Sequence, residues 1–146
     1  MTMTDTASAK TNAYDSPISR GVVAQLMLAD SSAAAEFYTR AFGAEEVSRL
    51  TSSDGLNRVM HMNLRINGGT LMFTDAMPER GYPAVPVQAT MLHLQLGEDI
   101  DAWWERAVAA GAEVVTPLQL MFWGDRYGQF KDSFGVSWSM GSAGKG

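Results

Sequence analysis

The sequence predicts an α+β chain built from two tandem βαβββ modules, and three observations predict it. Phe37-Tyr38-Thr39-Arg40-Ala41-Phe42 matches Trp103-Trp104-Glu105-Arg106-Ala107-Val108 at an offset of 66 residues, and Gly43-Ala44-Glu45 returns as Gly111-Ala112-Glu113 at an offset of 68. Self-similarity at a fixed spacing marks a repeated structural unit. Each copy is preceded by an alternating run, residues 22–28 and 90–96, and alternation marks a half-buried strand. Each repeated segment is then closed by a glycine, Gly43 or Gly111, the residue type suited to the left-handed position that ends a helix.

Along the chain, residues 22–28 give the first strand, and its end, Leu28 and Asp30, is matched by Leu96 and Glu98 at the offset of 68. Asp30, Ser31 and Ser32 are capping residues for the helix that stops at Gly43. Strand-like runs follow at 46–51, 57–66 and 70–74, with Gly68-Gly69 as a hairpin turn. Residues 76–87 carry Pro78, Pro83 and Pro86, which disfavour a regular element and suit an extended linker. In the second copy Glu98-Asp99 opens the helix, where negative charge favours the dipole. Runs at 113–116, about 122–131 and 136–140 complete the unit. Module one is thus 21–75, the linker 76–87 and module two 88–140, within a single domain. Residues 1–20, rich in Thr, Ser, Ala and Asp without an apolar run, read as a disordered leader, neither signal peptide nor membrane anchor. Residues 141–146 read as a flexible tail.

A chain of 146 residues suits one domain and buries ~68–70% of its unfolded surface, enough for a core without disulfides. Its zero cysteines remove disulfide, thiolate and Cys-type zinc chemistry. Any metal site must draw on His61, His93, carboxylates or amides. The 11 Lys+Arg residues stand singly against 16 Asp+Glu, so there is no basic patch for nucleic acid. No Gly-x-Gly-x-x-Gly or Walker spacing and no nucleophile elbow occurs. A cytoplasmic location without membrane partners is the expectation.

Four motifs go further: His61-Met62-Asn63-Leu64-Arg65-Ile66, Asp75-Ala76-Met77-Pro78, Phe122-Trp123-Gly124-Asp125-Arg126-Tyr127-Gly128 and Asp132-Ser133-Phe134-Gly135. Together with the doubled module they resemble the vicinal oxygen chelate superfamily of glyoxalases, bleomycin-resistance proteins and extradiol dioxygenases, and within it the PhnB-like branch, over residues 22–140. Ser133 stands where the branch usually has proline. The resemblance implies paired modules curled into a cup-shaped mixed sheet, a small organic ligand in the cup, and a homodimer. It also implies metal positions on the first, fourth, fifth and eighth strands, occupied in active members by His, Gln or Glu. Here those places fall at Val23 or Gln25, at Met72 or Phe73, at Met91 or His93, and at Ser139. A catalytic divalent ion usually wants at least three protein ligands of His or carboxylate character. His93 with Gln25 and His61 lacks a carboxylate unless Asp75 turns inward, so the expectation is a cup without a catalytic metal.

Strand parity assigns the faces. Val59, His61, Asn63 and Arg65 lie opposite Met60, Met62, Leu64 and Ile66. Met91, His93 and Gln95 lie opposite Leu92, Leu94 and Leu96. Val23, Gln25 and Met27 oppose Ala24, Leu26 and Leu28, and Ser137 and Ser139 oppose Val136, Trp138 and Met140. The candidate ligand-binding residues are Gln25, His61, Asn63, Met91, His93, Trp123, Tyr127 and Ser139. Each histidine suits proton transfer or hydrogen bonding in a pocket, although an isolated histidine without an identified base partner in sequence more often has a structural role. Met27, Met72, Met91 and Met121 suit either a plastic pocket or core filling. Trp123 and Tyr127 suit stacking on a flat ligand, whereas Trp103, Trp104, Phe37 and Tyr38 suit helix packing. Arg40 and Arg106, at equivalent places, suit a structural or interface role. No catalytic residue is identified. The expected function is small-molecule binding; the alternative is a metal-dependent glyoxalase-type lyase or isomerase, or a dioxygenase.

Overall fold

The structure, a computed structural model, describes residues 21–144. The expected leader and the last two residues lie outside the described residues. The chain forms two compact units, each a four-stranded mixed sheet with a helix. Of the described residues, the first comprises 21–39 with Gly43–Val85, the second Arg40–Phe42 with 86–144. The α+β architecture of two tandem βαβββ modules is the one the repeat predicts.

In the first unit, β1 (Ala24–Leu28) runs parallel to β4 (Gly69–Asp75), which pairs antiparallel with β3 (Val59–Ile66); β2 (Glu45–Thr51) forms the far edge. Helix α1 (Ser31–Phe42) starts where the Asp30 carboxylate accepts the Ala33 N–H at 3.0 Å, and it ends at Gly43, φ 67°. Leu26, Leu28, Met62, Leu64, Leu71 and Phe73, alternate residues of three adjacent strands, are buried with Phe37 and Tyr38 of the helix. Tyr38 stacks on Phe73 at 5.8 Å. The β3–β4 turn is Asn67-Gly68, with φ 51° and 79°, rather than the expected Gly68-Gly69. Two consecutive positive φ values match the twist of the flanking strands, and Asn-Gly tolerates them. Strand β3 begins at Val59, two residues later than expected, because Asn57 takes a left-handed conformation, φ 58°.

Asp75 is the one carboxylate that could complete the ligand set by turning inward. Its carboxylate does not turn toward a ligand face. It is buried at the end of β4 and accepts the N–H groups of Ser31 and Val59, each at 2.7 Å. One of these is an orphan donor in the first turn of α1, so the carboxylate satisfies it and complements the helix dipole. The linker is also more ordered than a plain extended segment: Pro78–Arg80 forms a single 3-10 turn, with Met77 and Tyr82 bridged across it.

In the second unit, β5 (Met91–Gln95) runs parallel to β8 (Ser137–Ser142), followed by β7 (Arg126–Lys131) and the edge strand β6 (Glu113–Leu120). Helix α2 (Ile100–Ala110) closes at Gly111, φ 116°. Phe42, from the last turn of α1, belongs to this unit and packs 4.7 Å from Trp138 and 5.9 Å from Phe130. Trp104 meets Phe130 edge-on at 5.8 Å. Of the two recurrent arginines, Arg106 has a structural part here, its Nε donating to the backbone carbonyl of Arg40 at 2.7 Å. Strand β6 runs four residues further than expected, and an edge strand is where its Pro117 is tolerated. Strand β7 starts at Arg126 rather than 122. Residues 121–125 instead form a turn closed by Met121 N–H to Asp125 O at 2.8 Å and Gly124 N–H to Met121 O at 2.9 Å, with Gly124 at φ 99°. Strand β8 continues through Gly141 to Ser142, into the expected tail. No helix among the described residues is long and apolar enough to cross a membrane.

Candidate ligand-binding site

The register of the second sheet places side chains from four strands in rows. His93 of β5 lies opposite Ser139 of β8, Ser139 opposite Gln129 of β7, and Gln129 opposite Thr116 of β6. The next row is Gln95, Gly141, Tyr127 and Gln119. These residues have the opposite parity to Phe130, Trp138 and Met140, which are buried in the core.

His93 is held at both ring nitrogens, with Nδ1 2.7 Å from Ser139 Oγ and Nε2 2.8 Å from Gln95 Oε1. An amide oxygen only accepts, so the arrangement requires the proton on Nε2, and Nδ1 then accepts the Ser139 hydroxyl. Ser139 is buried, and the imidazole is its partner. The ring can lie there because residue 141 is glycine: a Cβ at that position would stand 2.9 Å from His93 Cε1.

A chain of aromatic contacts leads away from His93. Its ring stacks on Tyr127 at 6.2 Å and 20°; Tyr127 meets Trp123 at 5.8 Å, and Trp123 meets Phe122 at 4.9 Å and 89°. The Tyr127 hydroxyl accepts from Gln129 Nε2 at 3.0 Å and points at Met91 Sδ, 3.8 Å away. Thr116 Oγ1 lies 3.5 Å from Gln129 Oε1 at the far end of the row.

The first sheet carries an equivalent row, Gln25, Met72, Asn63 and Ser48. Its members precede His93, Ser139, Gln129 and Thr116 by 66–68 residues, the spacing of the sequence repeat. Asn63 is fully buried and Gln25 exposed. His61, two residues before Asn63 on the same face, is partly buried, and burial pushes its imidazole below the ordinary histidine range.

Of the eight residues expected from sequence, Met91, His93, Trp123, Tyr127 and Ser139 come together on the second sheet, while Gln25, His61 and Asn63 lie on the first. Sequence reasoning placed Gln95 on the right face without selecting it, and missed Thr116, Phe122, Gln129 and Gly141. The repeat contained the signal for Gln129 and Thr116, which answer to Asn63 and Ser48.

As a metal site the donor set is poor. The groups around His93 are a hydroxyl and primary amides, and both imidazole nitrogens are already engaged. Asp75 is committed to two backbone N–H groups. Among the described residues no group of three or more His, Cys, Asp or Glu side chains is arranged to hold an ion. These residues do not fit a catalytic divalent cation.

Comparison with known proteins agrees with the topology. The chain is 41% identical over 122 residues to an uncharacterized protein of Mycobacterium bovis, covering 80% of this chain and 78% of the relative. The crystal structure of a Pseudomonas aeruginosa protein superposes with a TM-score of 0.71 at 25% identity, covering 85% of this chain and 98% of that one. The PhnB protein of Bacillus cereus superposes with a TM-score of 0.67 at 24% identity, covering 85% and 100%, a likeness of fold. The model of the Glyoxalase/Bleomycin resistance protein/Dioxygenase superfamily matches residues 22–140. With that match spanning both modules, the chain belongs to the Glyoxalase/Bleomycin resistance protein/Dioxygenase superfamily.

Proposed function

We propose that this chain is a PhnB-like, cytoplasmic, homodimeric member of the superfamily that binds a small organic molecule, with the His93 row of the second sheet as its principal contact surface and without a catalytic metal. The observation that carries this reading is the state of His93. A histidine prepared for a metal leaves one nitrogen open and has its other N–H oriented by a carboxylate or carbonyl. This one is pinned between an alcohol and an amide, beside further amides, a phenol and a thioether. Such groups orient a ligand by hydrogen bonds and offer no ion a charged partner. The four branch motifs support the PhnB-like assignment; the likeness to the Bacillus cereus PhnB protein supports the fold behind it. Gln25, His61 and Asn63 are the corresponding ligand contacts proposed for the first sheet.

The experiment is a thermal-shift screen of the chelator-treated full chain against metabolites and antibiotics. A ligand present at about 100 times its Kd stabilises the folded state by about 2.7 kcal/mol. Stabilisation that is reduced by Ser139→Ala and by His93→Ala supports the proposal. Absence of any stabilising compound rejects it, and stabilisation that needs an added divalent cation favours the glyoxalase-type alternative.

A further inference from the structure

Resting on that reading, we infer that the ligand is flat, aromatic and uncharged, and that it stacks on the Phe122–Trp123 turn while its polar edge reaches the His93–Ser139–Gln129 row. Three observations lead to this class of molecule.

The first is the exposure of the turn. Phe122 is 97% exposed and Trp123 49% exposed, with Leu120 beside them at 68%. A Phe side chain left in water forgoes the stabilisation of burial, and here Phe122 does so almost wholly and Trp123 by about half. The turn is held by two backbone hydrogen bonds and a left-handed glycine, so the rings are presented on a defined backbone and ordering it costs little on binding.

The second is the continuity of the rings. Phe122, Trp123, Tyr127 and His93 are each in contact with the next, from a fully exposed ring to one hydrogen-bonded to a buried serine. Met91 Sδ lies against the Tyr127 hydroxyl, and polarizable sulfur favours aromatic neighbours. The Phe122–Trp123 and Trp123–Tyr127 contacts are edge-to-face, at 89° and 64°, so a planar molecule stacks on one ring of the turn, with hydrogen-bonding amides of Gln95 and Gln129 at the inner end of the series.

The third is charge. Among the described residues the row itself, His93, Ser139, Gln129 and Thr116, carries no lysine or arginine. Arg126 has the opposite parity and is tied to Asp101 by two contacts of 2.6 and 2.7 Å. Lys131, one row beyond Gln129, stands opposite Glu113 in register. Asp125, in the turn itself, is negative and accepts the Gly144 N–H. A carboxylate or phosphonate set on the row would lose hydration without gaining an ionic partner, whereas a neutral amide or lactam edge finds complementary groups.

The test uses three matched probes titrated into the chelator-treated full chain and followed by tryptophan fluorescence: 2-naphthamide, 2-naphthoate and cyclohexanecarboxamide. The expected order is saturable binding of 2-naphthamide, with 2-naphthoate and cyclohexanecarboxamide each weaker by about tenfold or more, the scale of lost stacking or of an unpaired charge. Trp123→Leu should weaken 2-naphthamide by about tenfold, read by calorimetry, with the melting temperature retained because the residue lies at an exposed turn. Equal or tighter binding of 2-naphthoate overturns the uncharged class, and equal binding of cyclohexanecarboxamide overturns stacking. If none of the three binds while other compounds stabilise the chain, the ligand class is wrong and the small-molecule reading stands. If nothing binds at all, that reading fails first and this inference with it. A Phe122→Ser chain that becomes a smaller oligomer with unchanged 2-naphthamide affinity assigns the turn to contact between copies and overturns the inference.

Discussion

Ser139 Oγ lies 2.7 Å from Nδ1 of His93, across the parallel pair of β5 and β8. The contact depends on a third position, because any side chain at residue 141 would occupy the space of the imidazole. The sheet thus carries a histidine whose tautomer and orientation are fixed from both sides, in a row of uncharged hydrogen-bonding groups. Several consequences can be measured.

Gly141→Ala is expected to displace the His93 ring and abolish ligand-induced stabilisation, at a cost of ~1–3 kcal/mol for the added methyl. Gly128→Ala is its control. There the new Cβ would meet the Trp104 ring at 2.7 Å and Leu118 Cα at 3.0 Å, so it should destabilise the fold while His93 stays in place. Melting curves of both variants with and without a screened ligand separate the two effects; equal loss of ligand response in both would speak against the role given to Gly141.

The His93 tautomer is directly observable. Imidazole nitrogen NMR of the neutral ring should show the proton on Nε2 and an unprotonated Nδ1. Replacing Gln95 by Leu removes the acceptor that holds the Nε2 proton, and the two tautomers should then interconvert. A proton found on Nδ1 in the unaltered chain would contradict the hydrogen-bond assignment.

Asp75→Asn should lower stability by about 2–3 kcal/mol, since a carboxylate accepting two buried backbone N–H groups is replaced by an amide whose NH2 faces one of those donors. In thermal denaturation this is a fall of roughly 6–12 °C. A change too small to resolve would mean that Ser31 and Val59 find other partners.

His61 sets a pH window of its own. Its folded-state imidazole titrates below the ordinary value of 6.5 because burial disfavours the charged form. The unfolded chain therefore takes up the proton first as pH falls. The associated stability is fully present above 6.5 and is lost progressively as pH falls from there through the lowered folded-state value. Urea midpoints at about pH 7.5 and about pH 5.5 should differ, and His61→Gln should reduce that difference. An identical pH response in the two chains would remove His61 as its source.

Local chemistry made much of the fold legible. The repeat, the alternating strands and the helix-ending glycines are each properties of a few neighbouring residues, and the structure keeps them. What sequence patterns miss depends on contacts between distant segments. Asp75 looks like a spare carboxylate until the N-terminus of α1 is laid beside the end of β4. Phe122 and Trp123 look like the start of a strand because they are aromatic, yet Gly124 turns the chain there. In the site, parity put Met91, His93 and Gln95 on one face, but grouping them with Gln129 and Thr116 required the register of four strands. The same 66–68-residue offset that aligned the helices relates the two rows, so the repeat held that information in a form visible only once the strands were paired.

The most direct test is isothermal titration of a screened ligand into chelator-treated protein, repeated after addition of manganese or zinc. The expected result is one ligand affinity, unchanged by either ion and lost in His93→Ala. Binding seen only with the ion present, with metal retained at one equivalent per chain and released by the same substitution, would contradict a metal-free site.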